Sequence, residues 1–555
     1  MNGDQFIAET LAAQGISHVF LVPAILRRTL VEMERVGINR ITTHTEHGAA
    51  YMADGFARAG GRPAVAMAQS VGAANLAAGL QDAFLGHSPV IALTGRKPPL
   101  FQHRNAYQEI LHGPMFDPVT KYNACIDEAG QLPFILHQLF REATTGTPGP
   151  VHADLRGLSG EIIEMGEVAC PVLVNGRHTA IPAWRPETDA ALIRESLQRI
   201  AQSERPIIVA GGGAVVSGAH DEVLRLAETL GIPVATSMDG KGIISELHPL
   251  SVGVVGSYSQ QCANRSVSEA DLVLFIGSAT GDQVTLDWSI PAVGTGVIQI
   301  DINPSELGRN YPGALGILGD ARTVLRQMLA GLTPGRDRGD WCGQVRRYVR
   351  DWRELVASDL SSDASPIRPE RLCHEISNNL PENAILVSDT GYSCVWAGTM
   401  ISITRPTQRF LRAAGSLGWA FPAALGAKCA APDRPVLCFC GDGAFLYQLS
   451  ELETARRWGI KTVTVVNNNS YFGQSIPGMV KAYGSTPGNS DQIVRFEKTN
   501  YAKIAGDFGC LGIRVEDPAE IAPALQSAWK ADRPVVIDVV TAPQCHPPTI
   551  WRAGS

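Results

Sequence analysis

Residues 437–446 read LCFCGDGAFL, and residues 464–473 read TVVNNNSYFG. In the first stretch Asp442 follows an apolar run and lies between Gly441 and Gly443. In the second, three asparagines follow another apolar run, and Asn469 stands 27 positions after Asp442. Asparagine is a poor strand former, so the run is expected to serve something other than a sheet. If each apolar run is a parallel strand, Asp442 and Asn469 project from the carboxyl ends of neighbouring strands, where open α/β sheets bind ligands. A carboxylate, a side-chain amide and a nearby backbone carbonyl make an oxygen-rich set suited to a hard divalent cation such as Mg²⁺, which completes its octahedron with phosphate oxygens and water. The glycines permit close backbone approach, and a helix expected over AFLYQLSELETARRWG would turn its N-terminus toward an anion. Taken alone, GDG is better explained by a tight strand-to-helix turn, and Asn469 by a cap. Their spacing is what favours a metal and phosphate site.

The elements that must position these residues fall into three blocks. In the first, from the start to about residue 165, SHVFLVP, RITTHTEHGAAYMADGFARAGG, PAVAMAQS, SPVIALTG and GPVHADLR alternate apolar strands with helical stretches. The second, about 187–330, repeats the grammar in RPIIVAGGGAV, IPVATSMDGKG, ADLVLFIGSAT and GVIQIDINPSELG. The third, from about 366 to 550, carries AILVSDTG, RFLRAAGS, PVLCFCGDGAF, KTVTVVNNN and PVVIDVVTA. Continuous apolar strands alternating with helices predict parallel sheets covered on both faces, hence three Rossmann-like α/β domains. ACPVLVNGRHTAIPAWRPETD reads as one linker. LTPGRDRGDWCGQ, a helix rich in Arg and Trp, and SSDASPIRPERL together read as the second.

Bulk properties narrow the function. A chain of 555 residues with 45% apolar residues fills several cores, and a net charge of −7 with interspersed signs offers no basic face to nucleic acid. The eleven cysteines contain no C-x-x-C spacing, which favours reduced structural thiols. The N-terminal stretch is an amphipathic helix leading into a strand, without a basic n-region or cleavage site, and no long apolar run suggests a membrane span. A cytoplasmic enzyme acting on small molecules is expected.

The GDG and Asn pair resembles the diphosphate and metal signature of thiamine diphosphate (ThDP) enzymes. On that resemblance Asp442, Asn469 and the carbonyl of Tyr471 hold Mg²⁺, and Gly441, Gly443, Ala444, Phe472 and Gly473 touch the coenzyme. THTEHGAAYMADGFARA resembles the family's RHE-x-x-A…A-x-G-Y-A-R segment, which makes Glu46 the residue that activates the coenzyme through its pyrimidine ring. Read by itself, Glu46 is an acid at a helix start, stabilised by the dipole. AAGSLGWAFPAALGAK resembles the stretch that bends the coenzyme, with Leu417 as the wedge and Gly415 beside it; a core leucine is the alternative. DTGYSCVWA resembles a diphosphate-side segment and implies contacts from Gly391, Tyr392 and Ser393. SVGAANLAAGL places Asn75 near the active site, and NAYQEILHGPMFDPVTKY resembles A-F-Q-E…T-K of acetolactate synthases, with Gln108 as a hydrogen-bonding residue. Tyr107, Lys121 and His103 are equally well read as surface or packing residues.

The resemblance spans nearly the whole chain and is nearest the acetolactate synthase, pyruvate oxidase and benzaldehyde lyase group. It implies a pyrimidine-binding domain over 1–165, a central domain over 187–330 and a diphosphate-binding domain over 366–550, assembled as a homodimer at minimum and commonly a homotetramer. The implied activity is a ThDP- and Mg²⁺-dependent carbon–carbon lyase or carboligase acting on 2-keto acids or aldehydes. A benzaldehyde lyase-like acyloin lyase, a 2-keto acid decarboxylase or a diketone hydrolase is the alternative, and a non-catalytic ThDP-binding relative a remote one. Departures bear on substrate: the family's F-G-V-P-G loop reads FLVPA with Leu21 and Ala24, FGQSIPGMVKAYG follows the asparagines, and His47 follows Glu46. His47 is read as a surface histidine before a proton relay. In the central block AGGGAVVSG leaves FAD possible but not favoured, because GSATGDQVT lacks the arginines of related flavin-binding chains.

Overall fold

The computed structural model describes residues 1–332 and 336–553. The first linker, 169–189, holds only a short 3-10 turn, Gly176–Thr179. Residues 333–335 of the second connection lie outside the described residues, and the connection continues as the helix Gly339–Leu360, which buries Trp341, Val345, Tyr348 and Trp352.

Three six-stranded parallel sheets run along the chain. The first comprises β1 His18–Leu21, β2 Asn39–Thr42, β3 Ala64–Ala68, β4 Val90–Arg96, β5 Tyr122–Ile126 and β6 Val151–Arg156, in the order 2-1-3-4-6-5. The second has β7 Pro206–Ala210, β8 Val234–Thr236, β9 Ser251–Val254, β10 Leu272–Ile276, β11 Gly296–Asp301 and β12 Leu315–Leu318, in the order 12-11-10-7-8-9, the dinucleotide-fold arrangement. The third has β13 Ile385–Ser388, β14 Arg409–Arg412, β15 Val436–Gly441, β16 Val463–Asn468, β17 Leu511–Val515 and β18 Val535–Val540. Its order, 14-13-15-16-18-17, repeats the first sheet strand for strand.

Strands β5, β9, β12 and β17 were not among those the sequence predicts. All four lie at sheet edges, where one flank faces solvent and burial is mixed, so the continuous apolar run that marks β3, β7, β10 and β15 is missing. The asparagine run also corrects an expectation. Asn467 and Asn468 are strand residues, the last two of β16, and both are buried. Their amides are satisfied at the sheet's carboxyl end: Asn467 Oδ1 accepts from the Thr541 hydroxyl at 2.5 Å, and Asn468 Nδ2 donates to Asp538 Oδ1 at 2.8 Å. Only Asn469 lies beyond the strand.

The first and third units share one hydrophobic core, which runs from Phe20 and Phe56 through Trp419 and Phe421 to Phe445 and Tyr501. At its centre the helix Glu46–Gly60 crosses the helix Ala420–Ala430 with their backbones nearly touching. A Cβ on Gly55 would lie 2.0 Å from the Ala423 carbonyl oxygen, and one on Gly426 1.8 Å from that of Met52, so the crossing requires glycine at both positions.

Candidate active site

In the third sheet the strand order reverses between β13 and β15, the place where open α/β sheets leave a crevice at their carboxyl ends. A cavity of about 270 Å³ lies there. Its wall includes Gly391, Tyr392 and Ser393 after β13; Gly415 and Leu417 after β14; Gly441 at the end of β15 with Asp442, Gly443 and Ala444 after it; and Asn469, Tyr471, Phe472 and Gly473 after β16. These residues come from four separate stretches, and the sequence singles out every one of them. Thr390, Asn467, Gln474 and Ser475 also line it. Thr390 and Gln474 adjoin singled-out residues, and Asn467 and Ser475 stand two positions from Asn469 and Gly473; that nearness was the available signal.

Local structure explains the shape. Gly391 adopts φ +69°, which favours glycine, and starts the helix Tyr392–Met400, whose first residues Tyr392 and Ser393 line the cavity. Gly443 is bare because a Cβ there would meet the Phe472 ring at 2.8 Å, and a Cβ on Gly415 would have open space around it. The helix expected to run on from Ala444 is broken in two, Asp442–Tyr447 and Glu451–Arg457.

Asp442 is 1% exposed, and burial pushes its carboxyl up to about 7 against the pull of backbone hydrogen bonds. Its Oδ1 accepts from Gly443 N at 2.9 Å and its Oδ2 from Ser470 N at 2.6 Å. Both donors are uncharged, and the charged neighbour that acts on it, Asp538, repels it. Ser470 reaches that position with φ +61°, and Asn469 Oδ1 accepts from Tyr471 N at 2.9 Å, which folds the chain so that Asn469 and Tyr471 face the same cavity. Asp389, also pushed up to about 7 by burial, accepts N–H bonds from Thr390, Gly418 and Ala420. A desolvated carboxylate with no Lys or Arg partner among the described residues, an amide oxygen and a glycine-rimmed space fit a divalent ion that carries a diphosphate.

Glu46, Asn75 and Gln108 do not line this cavity. They lie in the first unit. Glu46 opens the helix Glu46–Gly60, whose cap Thr45 accepts from Gly48 N at 3.0 Å. The Glu46 carboxylate accepts from Asn75 Nδ2 at 3.0 Å and rests over the bare Cα of Gly72. Gln108 has φ +58°, its carbonyl accepts from Ser70 Oγ at 2.5 Å, and its Oε1 is buried without a partner. Of the remaining residues, Lys121 donates to the carbonyls of Glu142, Thr145 and Thr147 and so closes a helix end. Tyr107 and His103 are exposed; His47 is half-buried, and burial lowers its pKa while Glu46 opposes the shift. In the second unit the triple glycine packs against the chain itself: Gly211 and Gly213 lie on Gly277, and Gly212 on Asp239.

Comparison with known proteins agrees with this arrangement. Models of the N-terminal TPP-binding, central and C-terminal TPP-binding domains of thiamine pyrophosphate enzymes match residues 1–115, 193–328 and 389–539. The chain belongs to the thiamine pyrophosphate enzymes. Within them it stands in the acetolactate synthase group: it is 34% identical, over all of its length and 94% of the relative's, to a probable acetolactate synthase large subunit of Methanocaldococcus jannaschii. It is 30% identical to the acetolactate synthase large subunit of Corynebacterium glutamicum, over all of its length and 89% of the relative's. To acetolactate synthase isozyme 1 of Escherichia coli it is 29% identical, over 97% and 93%. It is a ThDP-dependent enzyme of carbon–carbon bond cleavage and formation. No helix among the described residues is long and apolar enough to cross a membrane.

Proposed function

We propose that the protein is an acetolactate synthase-like carboligase that takes a two-carbon unit from pyruvate, releases CO₂ and joins the unit to a second 2-keto acid. Bound at the cavity, ThDP supplies a nucleophilic carbon and an electron sink next to the substrate carbonyl. Asp442, Asn469 and the Tyr471 carbonyl would hold Mg²⁺, and the Tyr392 helix start and the glycines at 441 and 443 would receive the diphosphate. Leu417, at the cavity wall, would be the apolar residue that supports the coenzyme. Glu46 holds a proton at its carboxyl oxygen for the pyrimidine nitrogen, Asn75 orients that carboxyl, and Gln108 offers its amide to the substrate.

Glu46, Asn75 and Gln108 stand apart from the cavity in this chain, which supports a homodimer in which each copy brings them to the other's cavity; a homotetramer is the larger form of the same assembly. Domain divisions at 1–165, 187–330 and 366–550, and a cytoplasmic location, belong to this reading. The observation that carries it is Asp442, a buried carboxylate that no Lys or Arg side chain pairs among the described residues, at a glycine-rimmed cavity. The test is to give purified protein ThDP and Mg²⁺ and assay pyruvate, benzoylformate and benzoin for CO₂ and carbonyl products, with Glu46→Ala alongside. Acetolactate from pyruvate, lost in Glu46→Ala, supports the proposal; turnover of benzoin without CO₂, or no ThDP binding, overturns it.

A further inference from the structure

The loop after β14 carries Gly415 and Leu417 to the cavity and is held from both sides by buried carboxylates. On the C-terminal side, Asp389 Oδ1 accepts from Gly418 N at 3.0 Å and Oδ2 from Ala420 N at 2.8 Å. On the other side the acceptor comes from the first unit. Asp82, near the end of the helix Ser70–Leu85, accepts from Ala414 N at 2.9 Å through Oδ1 and from Gly415 N at 3.1 Å and Ser416 N at 2.9 Å through Oδ2. Three successive N–H groups make a positive concavity that a single carboxylate fills. Asp82 is fully buried, and Arg58 Nη2 balances its charge at 3.1 Å. Arg58 Nη1 also donates to the Arg412 carbonyl at 2.8 Å, at the strand end from which the loop departs. Arg412 in turn pairs with Asp239 of the second unit at 2.7 Å.

We propose that Asp82 is a positioning residue for the reaction: from the first unit it sets the height of Gly415 and Leu417 in the diphosphate half, and so the fit beneath the bent coenzyme. This rests on the function proposed above. The groups proposed to anchor the diphosphate, around Asp442, Asn469 and Gly391, leave other strands and make no bond to Asp82. Loss of Asp82 therefore separates two quantities that a general loss of structure would move together. Coenzyme affinity is kept, while turnover per bound coenzyme falls, since a misplacement of about 1 Å at reacting groups costs on the order of a hundredfold.

The experiment compares wild type, Asp82→Asn and Asp320→Asn, the last removing an equally buried carboxylate in the second unit that bonds Arg185, Ser217 and Thr323. Three quantities are read: amide hydrogen exchange of the 410–420 peptide in the coenzyme-free protein, ThDP affinity, and kcat at saturating coenzyme. In Asp82→Asn the 410–420 amides should exchange at least about tenfold faster, affinity stay within about threefold and kcat fall at least about tenfold; Asp320→Asn should leave all three near wild type. Unchanged exchange and kcat in Asp82→Asn would overturn the proposal, as would a loss of kcat matched by Asp320→Asn. If Asp82→Asn does not fold, the wild-type exchange decides: amides 414–416 exchanging as fast as those of the exposed Arg104, Asn105 and Tyr107 would overturn it, and slow exchange would support the clamp. Wild-type protein that fails to bind ThDP refutes the functional reading instead, and the exchange data on the coenzyme-free protein still judge the clamp.

Discussion

The side-chain amide of Asn75 donates to the Glu46 carboxylate over 3.0 Å, while Gly72, one helical turn earlier, leaves room for the other oxygen: a Cβ at Gly72 would lie 2.4 Å from Glu46 Oε1. Two positions of the helix Ser70–Leu85 thus decide where one carboxylate points. Gly72→Ala should change stability by no more than about 1 kcal/mol in either direction, since alanine is the better helix former while the Glu46 side chain must yield from Cγ outward. Turnover should nevertheless fall by at least about tenfold. Thermal melting and steady-state rates on the same preparation separate the two effects.

Asp442 makes the coenzyme-free protein sensitive to pH. Its folded-state pKa is raised to about 7, above the ordinary aspartate value, so the stability it contributes is complete below about pH 4 and is lost as pH climbs through 7. Asp442→Asn should therefore be more stable than wild type above pH 7 when no metal is present, by a few kcal/mol at most, because each tenfold change in proton affinity is worth about 1.4 kcal/mol. Wild type should bind Mg²⁺ more weakly as pH falls below 7, because a proton competes for the same oxygen. Denaturant unfolding with and without Mg²⁺ across pH 5–9 checks both; equal slopes for the two proteins would refute the assignment.

Leu417 is half-buried at the edge of the shared core. Leu417→Ala should cost about 1–2 kcal/mol of stability, less than a fully buried leucine does. Its larger effect should appear in kcat, with ThDP binding nearly intact. Isothermal titration beside rate measurements tells a wedge from a simple core residue, which would lower stability alone.

At the helix crossing, Gly426→Ala sets a methyl 1.8 Å from the Met52 carbonyl oxygen, and no rotamer relieves a backbone clash. A destabilisation of about 1–3 kcal/mol is expected from this overpacking, seen as a lower denaturant midpoint. Gly506→Ala, a helix position with open space around it, is the control and should be neutral or stabilising.

The buried strands were legible because a strand covered on both faces is apolar throughout, as in AVAMA of β3 and LVLFI of β10. The edge strands β5 and β17 were not, since residues such as Asn123 and Arg514 have one flank in solvent and one strand neighbour in place of two. The candidate site was legible where a chemical type was forced by its place, a carboxylate between glycines and an amide past a strand end; Glu46, read by itself an ordinary acid at a helix start, entered only through the resemblance.

From the residues alone came three α/β units, the carboxylate and amide of a candidate metal and phosphate site, and a resemblance to ThDP enzymes; these are written in local patterns of period and side-chain chemistry. Tertiary structure alone decided that the first and third sheets repeat one strand order, that two of the three asparagines serve the sheet, and that Glu46 lies apart from the cavity. It alone revealed Asp82 as the acceptor for residues 414–416, more than three hundred positions away. Such pairings depend on which backbone N–H groups converge when two domains pack, and no spacing along the chain encodes that.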